Sequence, residues 1–359
     1  EVVTAEIEQM LDSYKRESEA NIGYLGPPVM LWLGNFIIAL AIVALLYLAI
    51  YFGSQSVFED QRYNYILVIF ALCAICTLVL IRIDEKLLLF FPFTLSALML
   101  QAFMKQRVMI PVYFISLLPL FIFSHDGTSL FVMYLVAGIV AIYVFRYFQR
   151  GWKQFVTALI TFFVLAIVYL GFRAADLVAG DTWTTLIRIF IGSMLTVAGY
   201  PLVYLFERVF NLVSNSRLLE LCDTSNPIIR ELEQKAPGTF QHSLQVMNMA
   251  DAAARAVDEN PDLVRAGALY HDIGKMNNPL CFVENESLLA KEDSNKYHFG
   301  LPPIQSAHDI IKHVADGVEI ARKNDLPSVV IDFIRSHHGT TTVKYFYNKF
   351  IEFMNIHIA

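Results

Sequence analysis

Charge is scarce in this chain. Asp, Glu, Lys and Arg make up 17% of its 359 residues, against 56% hydrophobic ones. That ratio excludes both an ordinary soluble domain and a disordered chain. The charge that exists is tilted the wrong way for binding a nucleic-acid polymer: 27 basic against 33 acidic residues leave a net charge of -6. Cysteine is scarce too, with four residues, which excludes a disulfide framework. Cys73 and Cys76 form a C-x-x-C, but inside an apolar run, where they read as small buried hydrophobes. Alternating apolar and polar residues are missing from the C-terminal part, so it reads as all-helical. No long apolar run has an Asp or Glu at its centre, which counts against a proton-coupled transporter.

What the sequence has in quantity is apolar length. Seven runs follow one another, at 29–52, 65–81, 87–104, 108–123, 130–145, 155–172 and 186–206. A helix rises ~1.5 Å per residue, and a bilayer core of ~30 Å takes about 20 such residues. Seven runs in succession therefore predict a seven-helix transmembrane domain. Asn35, Gln101 and Ser116 within them suit interhelical hydrogen bonds, and Arg188 suits a snorkelling position near the end of the last span. If the N-terminus is outside, the inner loops carry Arg62, then Lys105 and Arg107, then Arg146, Arg150 and Lys153, and the inner flank adds Arg208 and Arg217. The outer loops carry Arg82, Lys86 and Arg173, diluted by Asp84 and Glu85. The bias predicts the N-terminus outside and the C-terminus inside.

Four segments are expected. Residues 1–28 read as a polar helix, the stub of an extracellular N-terminal domain, closed by Gly26-Pro27-Pro28. Residues 29–206 are the membrane domain, 207–223 a helical connector, and 224–359 a soluble all-helical domain. Within the last, Asn226 and Pro227 open one helix and Pro237-Gly238 ends it. Further helices are expected at 239–257, 261–275, 302–324 and 327–338, with an irregular loop at 276–301.

The chemistry concentrates in ALYHDIGK, which holds His271, Asp272 and Lys275. A buried His-Asp pair is costly unless something binds it, and imidazole and carboxylate are both ligands for Mn, Fe or Zn. One Asp can offer an oxygen to each of two metals. Lys275, about one turn on, is placed to meet a substrate phosphate. The bland alternative is a helix end with a solvated charge pair. His242, His313, His337 and His338 also fall on or near helix ends. Each alone reads as a surface or core histidine; together with His271 and Asp272 they point to a bimetal site. His308 and His313 share a helix but not a face. His313 goes with the apolar stripe that includes Ile310 and Val314, so it is the candidate ligand. His125, His298 and His357 are not expected to be ligands.

The segments NPIIRELEQKAPGTFQHS, ALYHDIGKM, IIKHVADGVEIA and SHHGTT with YFYNK resemble the HD domain of the bacterial seven-transmembrane HD phosphodiesterases. These are the PgpH-type enzymes that hydrolyse cyclic di-AMP. The resemblance covers nearly the whole chain. It implies a multi-pass protein of the bacterial cell membrane, with a cytoplasmic HD domain acting as a metal-dependent hydrolase. It also implies two divalent ions, Mn or Fe: one on His242, His271 and Asp272, and a second on His313, His337, His338 and the bridging Asp272. Asp272 and Lys275 would serve catalysis. The implied substrate is cyclic di-AMP and the product linear pApA. Other expected partners are the bilayer, an extracellular ligand for the missing N-terminal domain, and a second copy of the chain. One feature departs from the pattern. The family's first metal takes a further Asp from a later helix, and FIEFMNIHIA has none; Glu352 does not match the motif. The HD domain is thus expected to be incomplete at its C-terminus. A receptor whose HD domain binds nucleotide without turnover is the alternative reading, and a transporter with a regulatory domain is a third.

Overall fold

A computed structural model describes residues 4–22, 28–145, 154–289 and 297–358. Contacts divide the chain into two units, Glu1–Val197 and Ala198–Ala359. Among the described residues all regular structure is helical. The break expected around Gly26-Pro27 and the cluster Arg146, Arg150 and Lys153 lie outside the described residues.

The first unit contains α1 (Ala5–Ile22), α2 (Pro28–Gly53), α3 (Arg62–Ile83), α4 (Phe93–Phe103), α5 (Gln106–Ser116), α6 (Leu118–Phe123), α7 (Gly127–Phe145), α8 (Gln154–Ala174) and α9 (Thr182–Leu195). All seven apolar runs are helical, but prolines divide three of them. Among the described residues, five stretches are long and apolar enough to cross a membrane, α2, α3, α5 with α6, α7 and α8, and the bent pair Thr182–Ala198 with Pro201–Phe210 makes a sixth if it is one span. In the third run a 3-10 turn, Glu85–Leu89, gives way at Pro92 to the short α4. In the fourth, Pro119 forces the change from α5 to α6. The seventh breaks at Thr196–Ala198, because Pro201 cannot donate to Val197 and its ring crowds that carbonyl. The chain is thus a multi-pass membrane protein whose third and seventh segments are irregular.

Buried tyrosines tie these helices together, each hydroxyl donating to a backbone carbonyl. Tyr65 reaches Met99 at 2.7 Å, Tyr113 reaches Tyr134 at 2.5 Å, and Tyr134 reaches Leu88 at 2.8 Å. Gln101 donates to Ile142 between α4 and α7, at 2.9 Å. Ser116 instead donates to Val112 of its own helix, the carbonyl one turn back being the nearest acceptor. Asn35 is exposed.

The second unit contains α10 (Gly199–Phe210), α11 (Asn215–Leu221), α12 (Pro227–Lys235), α13 (Pro237–Ala256), α14 (Pro261–Tyr270), α15 (Val283–Leu289), α16 (Pro303–Lys323), α17 (Ser328–Ser336) and α18 (Lys344–Ile358). Its core joins Leu218, Ile229, Leu232, Leu269, Tyr270, Ile273, Val330 and Ile334. Cutting one such Leu or Ile to Ala costs ~2–5 kcal/mol. The Asn226 side chain accepts from Ile228 N–H and caps α12, with Pro227 in the first turn. As expected, α12 ends at Lys235, with Ala236 before the proline out of the helical region, but Pro237-Gly238 is not a loop. It opens α13, because proline fits the first helical turn, where no N–H is needed. The stretch expected to be an irregular loop contains α15.

Candidate metal centre

Helix ends bring the candidate ligands together. His271 is the C-cap of α14 and His337 that of α17, while His313 lies inside α16. Asp272 follows His271, and a 3-10 turn, Ile273–Asn277, carries Lys275 back beside it. Gly274 makes this turn possible. A Cβ there would lie 1.8 Å from the carbonyl oxygen of His313 and 2.5 Å from Gly317 N. The absence of a side chain thus sets the HD turn directly against α16.

Asp272 is the hub, with its side chain only 4% exposed. Its Oδ2 lies 3.0 Å from His271 Nε2 and 2.9 Å from Lys275 Nζ. Its Oδ1 lies 3.4 Å from both His313 Nε2 and His337 Nε2. His313 Nε2 is in turn 3.4 Å from His337 Nε2 and 3.2 Å from His338 Nε2. Two donor sets result: Asp272, His313, His337 and His338, and His242, His271 and Asp272. His308 is 69% exposed beside Asp309 and belongs to neither. His125 is exposed beside Asp126, and His298 is held to the Cys281 carbonyl at 2.9 Å. The His357 side chain lies outside the described residues.

The tautomers follow from the backbone. His271 Nδ1 contacts Ala268 O, His313 Nδ1 contacts Ile310 O, and His337 Nδ1 contacts Ile334 O. A carbonyl only accepts, so each Nδ1 must donate. In the neutral ring this leaves Nε2 as a bare lone pair. Three such lone pairs face the two Asp272 oxygens, acceptor against acceptor. Burial lowers the His338 pKa to about 4, helped by His337 and His313, so it too offers a lone pair at neutral pH. Asp272 Oδ1 is buried without a hydrogen-bond partner, its histidine neighbours at 3.4 Å meeting an ion-pair distance only. A cation resolves this arrangement. Donors bound at ~2.1 Å around one tetrahedral ion lie roughly 3.4 Å apart, which is the spacing found. The Nδ1 contacts supply the outer hydrogen bonds that metal-bound imidazoles need. The residues present therefore fit a divalent metal.

Burial pushes the Asp272 carboxyl up, whereas donation from Nε2 of His271, His313 and His337, which requires a second proton on those rings, would pull it further down. For Lys275, burial lowers the pKa, while Asp272 and Glu284 together raise it more, so the amine stays charged. Glu284 was not foreseen in the sequence. It holds Lys275 Nζ at 2.7 Å and accepts from Thr239 Oγ1 at 3.3 Å. Its neighbour Asn285, fully buried, accepts from Thr239 N–H at 3.0 Å and so caps α13, the helix of His242, from 46 residues away. The polar triplet Glu284-Asn285-Glu286 after an apolar pair was the available signal; its target was not legible.

Comparisons with known proteins identify the family. A family model described as "7TM receptor with intracellular HD hydrolase" matches residues 29–214, and an HD domain model matches 239–349. The cyclic-di-AMP phosphodiesterase PgpH of Listeria monocytogenes is 34% identical over 266 residues, covering 72% of this chain and 36% of that protein. The protein of the same name from Bacillus subtilis is 30% identical over 271 residues, covering 72% and 37%. A crystal structure of the L. monocytogenes PgpH HD domain in complex with cyclic di-AMP is 42% identical, covers 35% of this chain and 57% of that one, and has a TM-score of 0.33. The chain spans little more than a third of the length of these two relatives. With the membrane model covering just over half of the chain and the HD model covering the histidine cluster, the chain belongs to the family of seven-transmembrane proteins with an HD hydrolase domain.

Proposed function

We propose that this chain is a membrane-anchored, metal-dependent phosphodiesterase that hydrolyses cyclic di-AMP to linear pApA, with its HD domain in the cytoplasm. The observation that carries the reading is the convergence of imidazole lone pairs on the buried Asp272 carboxylate. The names of the Listeria and Bacillus relatives support the substrate. His242, His271 and Asp272 would hold one ion, and Asp272, His313, His337 and His338 a second, with Mn or Fe suited to this nitrogen and oxygen set. Bound there, the two ions would supply a water acidic enough to ionise near neutral pH and positive charge for the phosphodiester oxygens. The backbone carbonyls hold the three Nδ1 protons and keep the imidazoles aimed at the hub. Lys275, fixed between Asp272 and Glu284, provides a charge for a substrate phosphate at the edge of the cluster. No protein nucleophile is needed.

A second reading is a receptor whose HD domain binds nucleotide without efficient turnover. It is favoured by the first donor set, which has three members and shares one of them. Turnover of cyclic di-AMP by the purified full chain with added Mn decides between the two. His271→Ala and Asp272→Ala are expected to lower the rate by roughly 100-fold or more, and His308→Ala to leave it near wild type. Nucleotide binding without hydrolysis would select the receptor. An inactive His308→Ala beside an active His313→Ala would overturn the ligand assignment.

A further inference from the structure

The membrane domain has a cavity of its own, of about 610 Å³. It lies at the end of the domain where α3 finishes, α7 begins, α8 finishes and α9 begins. Its lining includes Lys86, Asp126, Tyr169, Asp181, Thr184 and Arg188. The size suits a small molecule.

Three of the four acids around it are engaged with the protein's own donors, and the fourth, Asp126, is an exposed carboxylate 3.5 Å from His125 Nδ1. Glu85 accepts from Ser124 Oγ and from His125 N–H. Asp181 accepts from Thr184 N–H at 2.8 Å and from the Thr184 hydroxyl, capping α9. Asp84 accepts from Lys86 N–H at 2.9 Å. The cations are not engaged in this way. Among the described residues, the Arg188 guanidinium has no hydrogen bond or ion pair; its one specific contact is the Phe90 ring, 5.9 Å away. Lys86, exposed at the cavity edge, likewise makes no ion pair among the described residues. Arg188 lies about two turns into α9 and is half-buried, so its guanidinium faces the cavity without a protein acceptor. An independent observation comes from α8. Tyr169 is 1% exposed and lines the cavity, yet its hydroxyl has no hydrogen-bond partner. A buried donor without a protein acceptor leaves a place for a water or a ligand oxygen.

We infer that this cavity binds a small anion, a carboxylate or phosphate group held by Arg188, Tyr169 and Lys86. A guanidinium and a phenol both donate, so the missing partner is an acceptor that carries negative charge. The free solute and an anionic lipid headgroup present the same chemistry. This site is separate from the HD cluster and does not depend on the function proposed for it.

The test uses the full chain in nanodiscs of phosphatidylcholine, titrated by calorimetry with succinate, glutamate and inorganic phosphate. At least one probe should bind saturably, one per chain. Arg188→Gln should weaken binding roughly 10-fold or more, and Tyr169→Phe by several-fold. Tyr169→Phe keeps the buried ring and removes a hydroxyl with no protein partner, so its melting temperature should equal or exceed that of wild type, and HD metal content should not change. Repeating the titration with phosphatidylglycerol in the disc separates the sources: a probe displaced by that lipid assigns the site to a headgroup, and one that is not assigns it to a solute. Saturable binding by none of the probes, or equal binding in both variants, would overturn the proposal.

Discussion

Gly274→Ala is the sharpest test of how the cluster is built. The added methyl would sit 1.8 Å from His313 O, against a floor of 3.0 Å for real Cβ contacts. The HD turn and α16 must then part by at least 3.0 − 1.8 = 1.2 Å, and since the obstacle is backbone, no side-chain rotation relieves it. Asp272 lies two residues before Gly274, and the carbonyl in the way is that of His313, so the shift acts directly on the Asp272–His313 distance. A donor at ~2.1 Å from an ion that moves out by such a distance is no longer a ligand. Overpacking of this kind costs ~1–3 kcal/mol, a fall in melting temperature on the order of 2–12 °C. The variant should therefore keep its helicity, melt lower, and lose the metal shared by Asp272 and His313. Circular dichroism and elemental analysis of the purified chain read these together. Gly171→Ala, where a Cβ meets nothing within 4 Å, is the control and should match wild type in both. Wild-type metal content in Gly274→Ala, with a melting temperature within a degree of wild type, would refute the close-approach argument.

Other outcomes can be measured on the same material. The four-member donor set should retain its metal through dialysis, while the three-member set, with His242, should bind roughly 10-fold or more weakly; equal retention of two ions would contradict this. Stability of the metal-free chain should fall as the pH drops from about 6.5 to about 4, because unfolded His338 takes up a proton that folded His338, with its lowered pKa, refuses. His338→Gln should flatten the melting curve in that window, and an unchanged slope would exclude His338 as its source. For orientation, a cysteine replacing the exposed Ser13 should be labelled from outside intact cells, and one replacing the exposed Lys323 should not; the reverse pattern would invert the topology.

How far the sequence reached depends on which physics a feature uses. Apolar runs are legible because burial in lipid acts on composition over about 20 residues, and all seven proved helical. Their interruptions were less legible. Pro92, Pro119 and Pro201 stand in plain view, but whether a proline bends, breaks or restarts a helix depends on its neighbours. Pro237 shows the ambiguity: read as a stop, it both closes α12 and begins α13. His313 and His308 could be told apart by helical periodicity, a local property, and the structure buries the first and exposes the second. Glu284 and Asn285 were out of reach because their partners lie 9 and 46 residues away. Gly274 carries no signal of its own in the sequence. Its actual reason, a backbone contact with α16, exists only once the helices have packed.

The placement of His271 and His337 at helix C-termini has an energetic logic beyond reach. The last four carbonyls of a helix have no N–H within it to bond, and Ala268 and Ile334 are among them in α14 and α17. The imidazole that caps each helix supplies the missing donor through Nδ1. That bond satisfies the backbone and at the same time fixes the tautomer that leaves Nε2 free. Both helices also direct the negative ends of their dipoles towards the cluster, a field that favours a cation and disfavours a bare carboxylate. Asp272 is thus placed where the fold alone makes negative charge costly, and Lys275 offsets that cost on the Oδ2 side only. The Oδ1 side has neutral lone pairs around it and no proton donor. Without metal the domain must hold that oxygen uncompensated; with metal the same oxygen, the imidazoles and the helix ends all act in one direction. Metal binding and HD-domain stability are therefore linked through Asp272.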